Sequence, residues 1–144
     1  MKVKIKRIDN SLPLPKYETS GAVGFDFVCR ENTTIPKGTV GFIPTNSIVE
    51  VPSGYMLMVT LRSSTPRKKG LLSPHGVGII DQDYCGEEDE IKVLVYNFGN
   101  ADAVIEKGER VAQGILVKVS KGDFKEVKSM KKESRGGFGS TDKR

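Results

Sequence analysis

The sequence predicts an all-β domain of the sandwich or barrel-like kind. Short runs rich in β-branched and aromatic residues recur along the chain. Turn signals fall between them, and no segment keeps apolar residues at i, i+3, i+4 and i+7 over three turns. Regular short strands of this kind point to a sandwich or a barrel. Taken in order, "VKIK" alternates basic and apolar residues, and "VGFDFVC" puts Phe25 and Phe27 on one side with Asp26 on the other. "GTVGFI", "NSIVEV", "YMLMVTL", "IKVLVYN" and "ILVKV" follow. "IPKG", "VPSG", "GNAD", "EKGE" and "SKGD" read as turns. One short helix fits near "STPRKKGLLS", with Pro66 restricting where it starts.

A chain of 144 residues fits one domain with its own core. The folded body is expected over residues 1–120, and residues 121–144 form a linker and a flexible glycine-rich tail. The net charge of +5 raises the question of nucleic acid. Residues 1–117 carry fourteen basic and fourteen acidic side chains, so the excess sits in the last 27 residues. A neutral body is a poor groove for a polyanion, and no nucleic-acid partner is expected. No run of eighteen apolar residues suggests a membrane span. "MKVKIKRI" has no long apolar stretch and reads as a strand, not a signal peptide. Cys29 and Cys85 make no disulfide framework, so a reducing, cytoplasmic setting is expected. His75 is the only histidine, which argues against a multi-histidine metal site within one chain.

Four segments could carry chemistry. In "LRSSTPRKKG", Arg62, Ser63 and Ser64 lie where a strand ends; a cation and two hydroxyls suit an anion, although an ordinary polar strand end reads the same way. In "GVGIIDQDYCGEEDEIKVLVYN", two apolar strands are read as a hairpin that presents Asp81 and Tyr84 at its mouth. A carboxylate there can orient and deprotonate water, and two solvated turn aspartates are the plain alternative. "EEDE" at residues 87–90 is read as a solvated tip. "KGERVAQGILV" places Arg110 and Gln113 on a strand. The tail "SRGGFGSTDKR" sets Phe138 among glycines, with Arg135 before it and Ser140 and Thr141 after it. Such a segment builds no core, but it offers donors for phosphate and a flat ring for stacking.

The order "SGAVGFD", "RSS", "GIIDQDY", "GERVAQ", "RGGFGST" resembles the five motifs of the trimeric dUTP diphosphatase (dUTPase) family, over about residues 20–141. The resemblance implies a jelly-roll fold and Mg2+-dependent hydrolysis of dUTP to dUMP and pyrophosphate, limiting uracil entry into DNA. It implies that Asp81 activates the water that attacks the α-phosphorus. Tyr84 would lie against the deoxyribose. Gly78, Ile79, Ile80 and, across the hairpin, Lys92 would read the uracil edge, and His75 stands where some members place an Asn that touches uracil. Arg62, Ser63, Ser64 and Gln113 would hold phosphates. Arg135, Gly139, Ser140 and Thr141 would close on the γ-phosphate while Phe138 stacks on the base. Asp26 and Arg110 would support the site. Mg2+ would arrive on the triphosphate with no direct protein ligand, and homotrimers would share their active sites. "GEEDEI" makes the hairpin about three residues longer than is usual in that family. Two other readings stand beside this one: a relative of the dCTP deaminases, with Glu90 in the place of their catalytic Glu, and a non-catalytic β-sandwich binding module.

Overall fold

Alternation becomes extended chain in the computed structural model, which describes residues 1–138. Those residues form eleven strands and one helix. The strands are β1 (Lys4–Arg7), β2 (Phe25–Val28), β3 (Thr33–Ile35), β4 (Val40–Pro44), β5 (Ser47–Glu50), β6 (Tyr55–Leu61), β7 (Leu71–Leu72), β8 (Gly78–Ile80), β9 (Lys92–Asn97), β10 (Ala103–Ile105) and β11 (Arg110–Lys118). The helix, α1 (Thr65–Lys69), lies where "STPRKKG" predicts it. Pro66 sits in its first turn, where no backbone donor is lost, and Gly70 ends it with φ +65°. No helix among the described residues is long and apolar enough to cross a membrane.

Two sheets dominate, in the orders β2-β11-β6-β8 and β4-β9-β7; β1-β5 and β3-β10 pair separately. All strand pairs are antiparallel. Side chains from both large sheets meet in one core: Phe27, Leu57, Val59 and Ala112 from the first, Ile43, Leu71, Val93 and Val95 from the second. The fold is therefore an all-β sandwich. Leu57 is fully buried, and each such side chain contributes roughly 1.5–3 kcal/mol through burial. The turns "VPSG" and "EKGE" place Gly54 at φ +79° and Gly108 at φ +84°, where a side chain would be strained. "SKGD" does not join two strands: β11 ends at Lys118, and residues 119–138 contribute no strand or helix.

The expected hairpin around Asp81 is not formed. β8 pairs with β6, and β9 pairs with β4 and β7, so the two strands belong to different sheets. The intervening segment is long enough to build contacts of its own. Glu90 anchors the segment elsewhere. It is 5% exposed, accepts from Nε of Arg30 at 2.9 Å and from the backbone N–H of Asn46 at 2.9 Å. Next to it, Ile91 N–H donates to Ser47 O at 2.9 Å, and Thr45 N–H donates to Ile91 O at 3.1 Å. The segment is thus drawn onto the β4–β5 corner before β9 begins. "EEDE" is accordingly only in part a solvated tip: Glu87 is exposed and pairs with Lys6, Asp89 accepts from Gly86 N–H at 2.6 Å, and Glu90 is interior.

Candidate active site

Asp81 is the first residue past β8, and its side chain is exposed. With Tyr55, Asp83 and Lys121 it lines a cavity of about 350 Å³. The segment is anchored beneath it: Nε2 of Gln82 donates to Tyr55 O at 2.9 Å, and Tyr84 N–H donates to Asp81 O at 3.4 Å. The Tyr84 hydroxyl donates to Glu90 O at 3.2 Å while the ring stays 41% exposed. A free carboxylate and a tethered aromatic face therefore sit three residues apart on a segment held by its own bonds.

Beside Asp81 runs a narrow cleft between the two sheets. Gly78 and Ile80 flank it on one side and Lys92, Val93 and Leu94 on the other, with His75 and Ser73 also in its lining. β8 is the edge of its sheet, so the outer edge of Gly78–Ile80 has no strand partner. On β9, β7 covers only Tyr96 and Asn97, which leaves 92–94 without a strand partner on that side. Two unpaired strand edges thus border one cleft, and their amide and carbonyl groups need partners. A planar heterocycle with alternating donors and acceptors meets that need. The Ile79 side chain is 57% exposed and points away from the core.

Arg62 lies at the other end of β6. Leu57 is opposite Ile80, so Asp81 comes opposite Met56, whereas Arg62 follows Leu61. Six residues of extended chain place the two levels about 20 Å apart. Around Arg62 the first, second and fourth predicted motifs converge. Asp26 forms an ion pair with Nε of Arg62 at 3.4 Å and accepts from Nη1 of Arg110 at 3.3 Å, and Arg110 also pairs with Glu18 at 2.6 Å. Gln113 is paired with Asp26 across the β2–β11 ladder, and its Oε1 occupies the space that a Cβ at Gly24 would take, 2.5 Å away. A side chain at position 24 would therefore displace the Gln113 amide. Arg62, Ser64, Lys68, Lys69 and Arg110 line a cavity of about 180 Å³, a basic recess suited to phosphate. Ser63 precedes it on the same turn into α1.

In the tail, Arg135 and Phe138 are exposed, Phe138 wholly so. The hydrogen bond formed there is local, from Gly136 N–H to Ser134 Oγ at 3.2 Å. Gly139, Ser140 and Thr141 lie outside the described residues. No cluster of three or more His, Cys, Asp or Glu side chains spaced to hold a metal occurs among the described residues.

Sequence reasoning missed several neighbours of these groups. Glu18 holds Arg110, Lys69 pairs with Glu109 at 2.8 Å in the wall of the basic recess, and Lys121 faces the Asp81 cavity. Glu18 and Lys121 belong to no local pattern that would single them out. Only the run "RKK" carried a signal, as basic residues just after the "RSS" segment.

A model of the dUTPase family matches residues 10–142. The deoxyuridine 5'-triphosphate nucleotidohydrolase of Hydrogenobaculum sp. is 39% identical over 145 residues, covering 98% of each chain. The enzyme of the same name from Rickettsia prowazekii is 38% identical over 146 residues, covering 98% of this chain and 97% of its own. Among solved structures, a dUTPase from Streptococcus mutans superposes with a TM-score of 0.76 at 35% identity, over 83% of this chain and 98% of its own. A point mutant of the dUTPase of phage 80alpha reaches a TM-score of 0.85 at 22% identity, over 96% and 98% of the two chains, a likeness of fold.

Proposed function

The chain belongs to the dUTPase family, and from that premise we propose how its own residues hydrolyse dUTP to dUMP and pyrophosphate. Uracil enters the cleft between β8 and β9. Backbone groups of Gly78, Ile79, Ile80 and Lys92 complete their hydrogen bonds on its edge. The single observation that supports this reading is the pair of unpartnered strand edges beside a free carboxylate. Cytosine presents a donor where uracil presents an acceptor, and each mismatched buried group costs about 1–3 kcal/mol. Tyr84 lies against the sugar.

Asp81 takes a proton from a water that attacks the α-phosphorus. The bond from that phosphorus to the oxygen bridging to the β-phosphate breaks, and pyrophosphate departs. A carboxylate is a weak base, so most of the rate comes from aligning the water and from quieting charge on the phosphates. Arg62, Ser63, Ser64 and Gln113 hold those phosphates. Asp26 and Arg110 keep Arg62 in place. Arg135, Gly139, Ser140 and Thr141 take the γ-phosphate, and Phe138 stacks on the base. Mg2+ bound to the substrate's triphosphate would neutralise charge beside Arg62 and Arg135.

The placement of Asp81 and Arg62 at opposite ends of β6 supports a site shared between two copies. The outer face of β4-β9-β7 supports self-association. Val40 and Leu72 sit opposite Tyr96, and Phe42 sits opposite Leu94, all on one side of the sheet. Val40 is 56% and Phe42 59% exposed, an apolar surface of the kind that subunits cover. The subunits form a homotrimer in which each site takes Asp81 from one chain and Arg62 from another. The test of the reaction is pyrophosphate release from dUTP, dCTP, dTTP and UTP with Mg2+. The expected result is turnover of dUTP far above the rest. Equal turnover of all four would remove the roles given to the cleft and to Tyr84.

A further inference from the structure

We propose that the imidazole of His75 is a gate on the cleft between β8 and β9, displaced by the base as it enters. The proposal rests on reading that cleft as the base site. As folded, the cleft holds about 20 Å³, room for one water molecule. A pyrimidine ring with two carbonyl groups is wider than one water molecule, so the lining opens for the ring to enter. The strand backbones are the stiffer part: β8 is bonded to β6 over three residues, and β9 to β4 over five. The face of Gly78 identifies the movable part. A side-chain carbon built there would lie 3.5 Å from Cβ of Val59 and 3.8 Å from Cε1 of His75. The imidazole therefore lies in van der Waals range of the face of Gly78 that opens on the cleft.

The support beneath the ring is firm, while its side-chain hold is weak. Residues 73–76 form a tight turn in which Gly76 N–H donates to Ser73 O at 3.1 Å, with Gly76 at φ +82°. Val77 N–H then donates to His75 O at 3.1 Å, and Pro74 stiffens the turn. The ring itself has one polar contact, Nδ1 to Ser73 Oγ at 3.5 Å, at the outer limit for a hydrogen bond. Its outer side is exposed. An exposed side chain so held changes rotamer in picoseconds to nanoseconds, without disturbing the turn. The gate thus taxes affinity for the base by the fraction of time that it stands closed. Phosphate and sugar binding carry no such tax.

His75 is the only histidine of the chain, so its Cε1–H gives a single imidazole line in the proton NMR spectrum of the full-length protein. Titration with dUMP is expected to move that line, whereas 2-deoxyribose 5-phosphate, which has no base, leaves it in place. His75→Ala is expected to bind dUMP about three- to tenfold more tightly by calorimetry, since a removed gate no longer competes. Tight dUMP binding with an unmoved line overturns the gate and leaves the base site standing. Weaker binding by His75→Ala also overturns it and makes the ring a direct contact to the base. Equal binding of dUMP and dCMP with an unmoved line overturns both the gate and the reading of the cleft.

Discussion

At the scale of single residues, two carboxylates in this chain behave in opposite ways because of what surrounds them. Asp81 is left open to a cavity, with no side-chain partner among the described residues, and that freedom is what a base for an arriving water requires. Asp81→Asn keeps the shape and hydrogen-bonding reach of the side chain but cannot accept the proton. The expected outcome is dUTP binding within a few-fold of the parent and a kcat lower by about 10²–10⁴; a kcat close to the parent's would take the base role from Asp81. Asp9 is committed instead. Nζ of Lys107 donates to it at 2.6 Å, and the hydroxyl and backbone N–H of Ser11 donate at 2.6 and 2.8 Å. The Lys107 bond, followed by those from Ser11, holds its carboxyl far below the usual carboxylate range. A carboxylate whose acidity is strengthened on folding stabilises the folded state above its unfolded pKa of about 3.8, and that stability disappears as pH falls further. Asp9→Asn should therefore lower Tm at pH 7 and flatten the fall of Tm between about pH 4 and pH 2. Thermal melts across that interval check it, and parallel curves for the two proteins would count against the linkage.

At the scale of elements, the sequence announced long strands well and short ones poorly. β6 and β9 stand out because each carries a run of alternating or fully apolar β-formers. β3, β7 and β10 have two or three residues each, too few for any period to register. The segment between β8 and β9 was misread for a different reason. Adjacent apolar runs usually pair, but Arg30 and Asn46, more than forty residues upstream, capture Glu90. Nothing local to "EEDE" reveals which of four acidic residues will be buried. The same capture bears on the deaminase reading, because Glu90 is engaged by Arg30 and is not among the residues that line the cleft. The tail was legible for what it is not. Residues 134–138 touch no core, so deletion of 134–144 should leave Tm within a few degrees of the parent. The same deletion should cost about tenfold or more in kcat/KM for dUTP, since it removes the ring assigned to the base and the guanidinium and hydroxyls assigned to the γ-phosphate. Full activity in the truncated protein would leave the tail without a catalytic part.

At the scale of the whole molecule, the motifs were visible in order along the chain, yet their order says nothing about which end of a strand each occupies. Asp81 and Arg62 are nineteen positions apart in sequence and belong to neighbouring motifs, but β6 carries them to opposite ends. A site that needs both must join two copies, and that requirement has a numerical consequence. In mixed assemblies made by co-expressing Asp81→Asn and Arg62→Gln chains, a site shared in the proposed way needs its carboxylate from an Arg62→Gln chain and its guanidinium from an Asp81→Asn chain. With random assembly from equal amounts, about a quarter of the sites satisfy both conditions, so the mixture should regain about a quarter of parental activity although each variant alone has almost none. If both groups served within one chain, every site would lack one of them and mixing would restore nothing. The exposed face of Val40, Phe42 and Leu72 sets a companion condition. Phe42→Lys places a charge where that face would be covered, so the chain should run smaller by sedimentation and lose activity, while its far-ultraviolet circular dichroism stays that of a β-sandwich. An undiminished assembly with Phe42→Lys would move the subunit contact to another face, even if the mixing experiment succeeds.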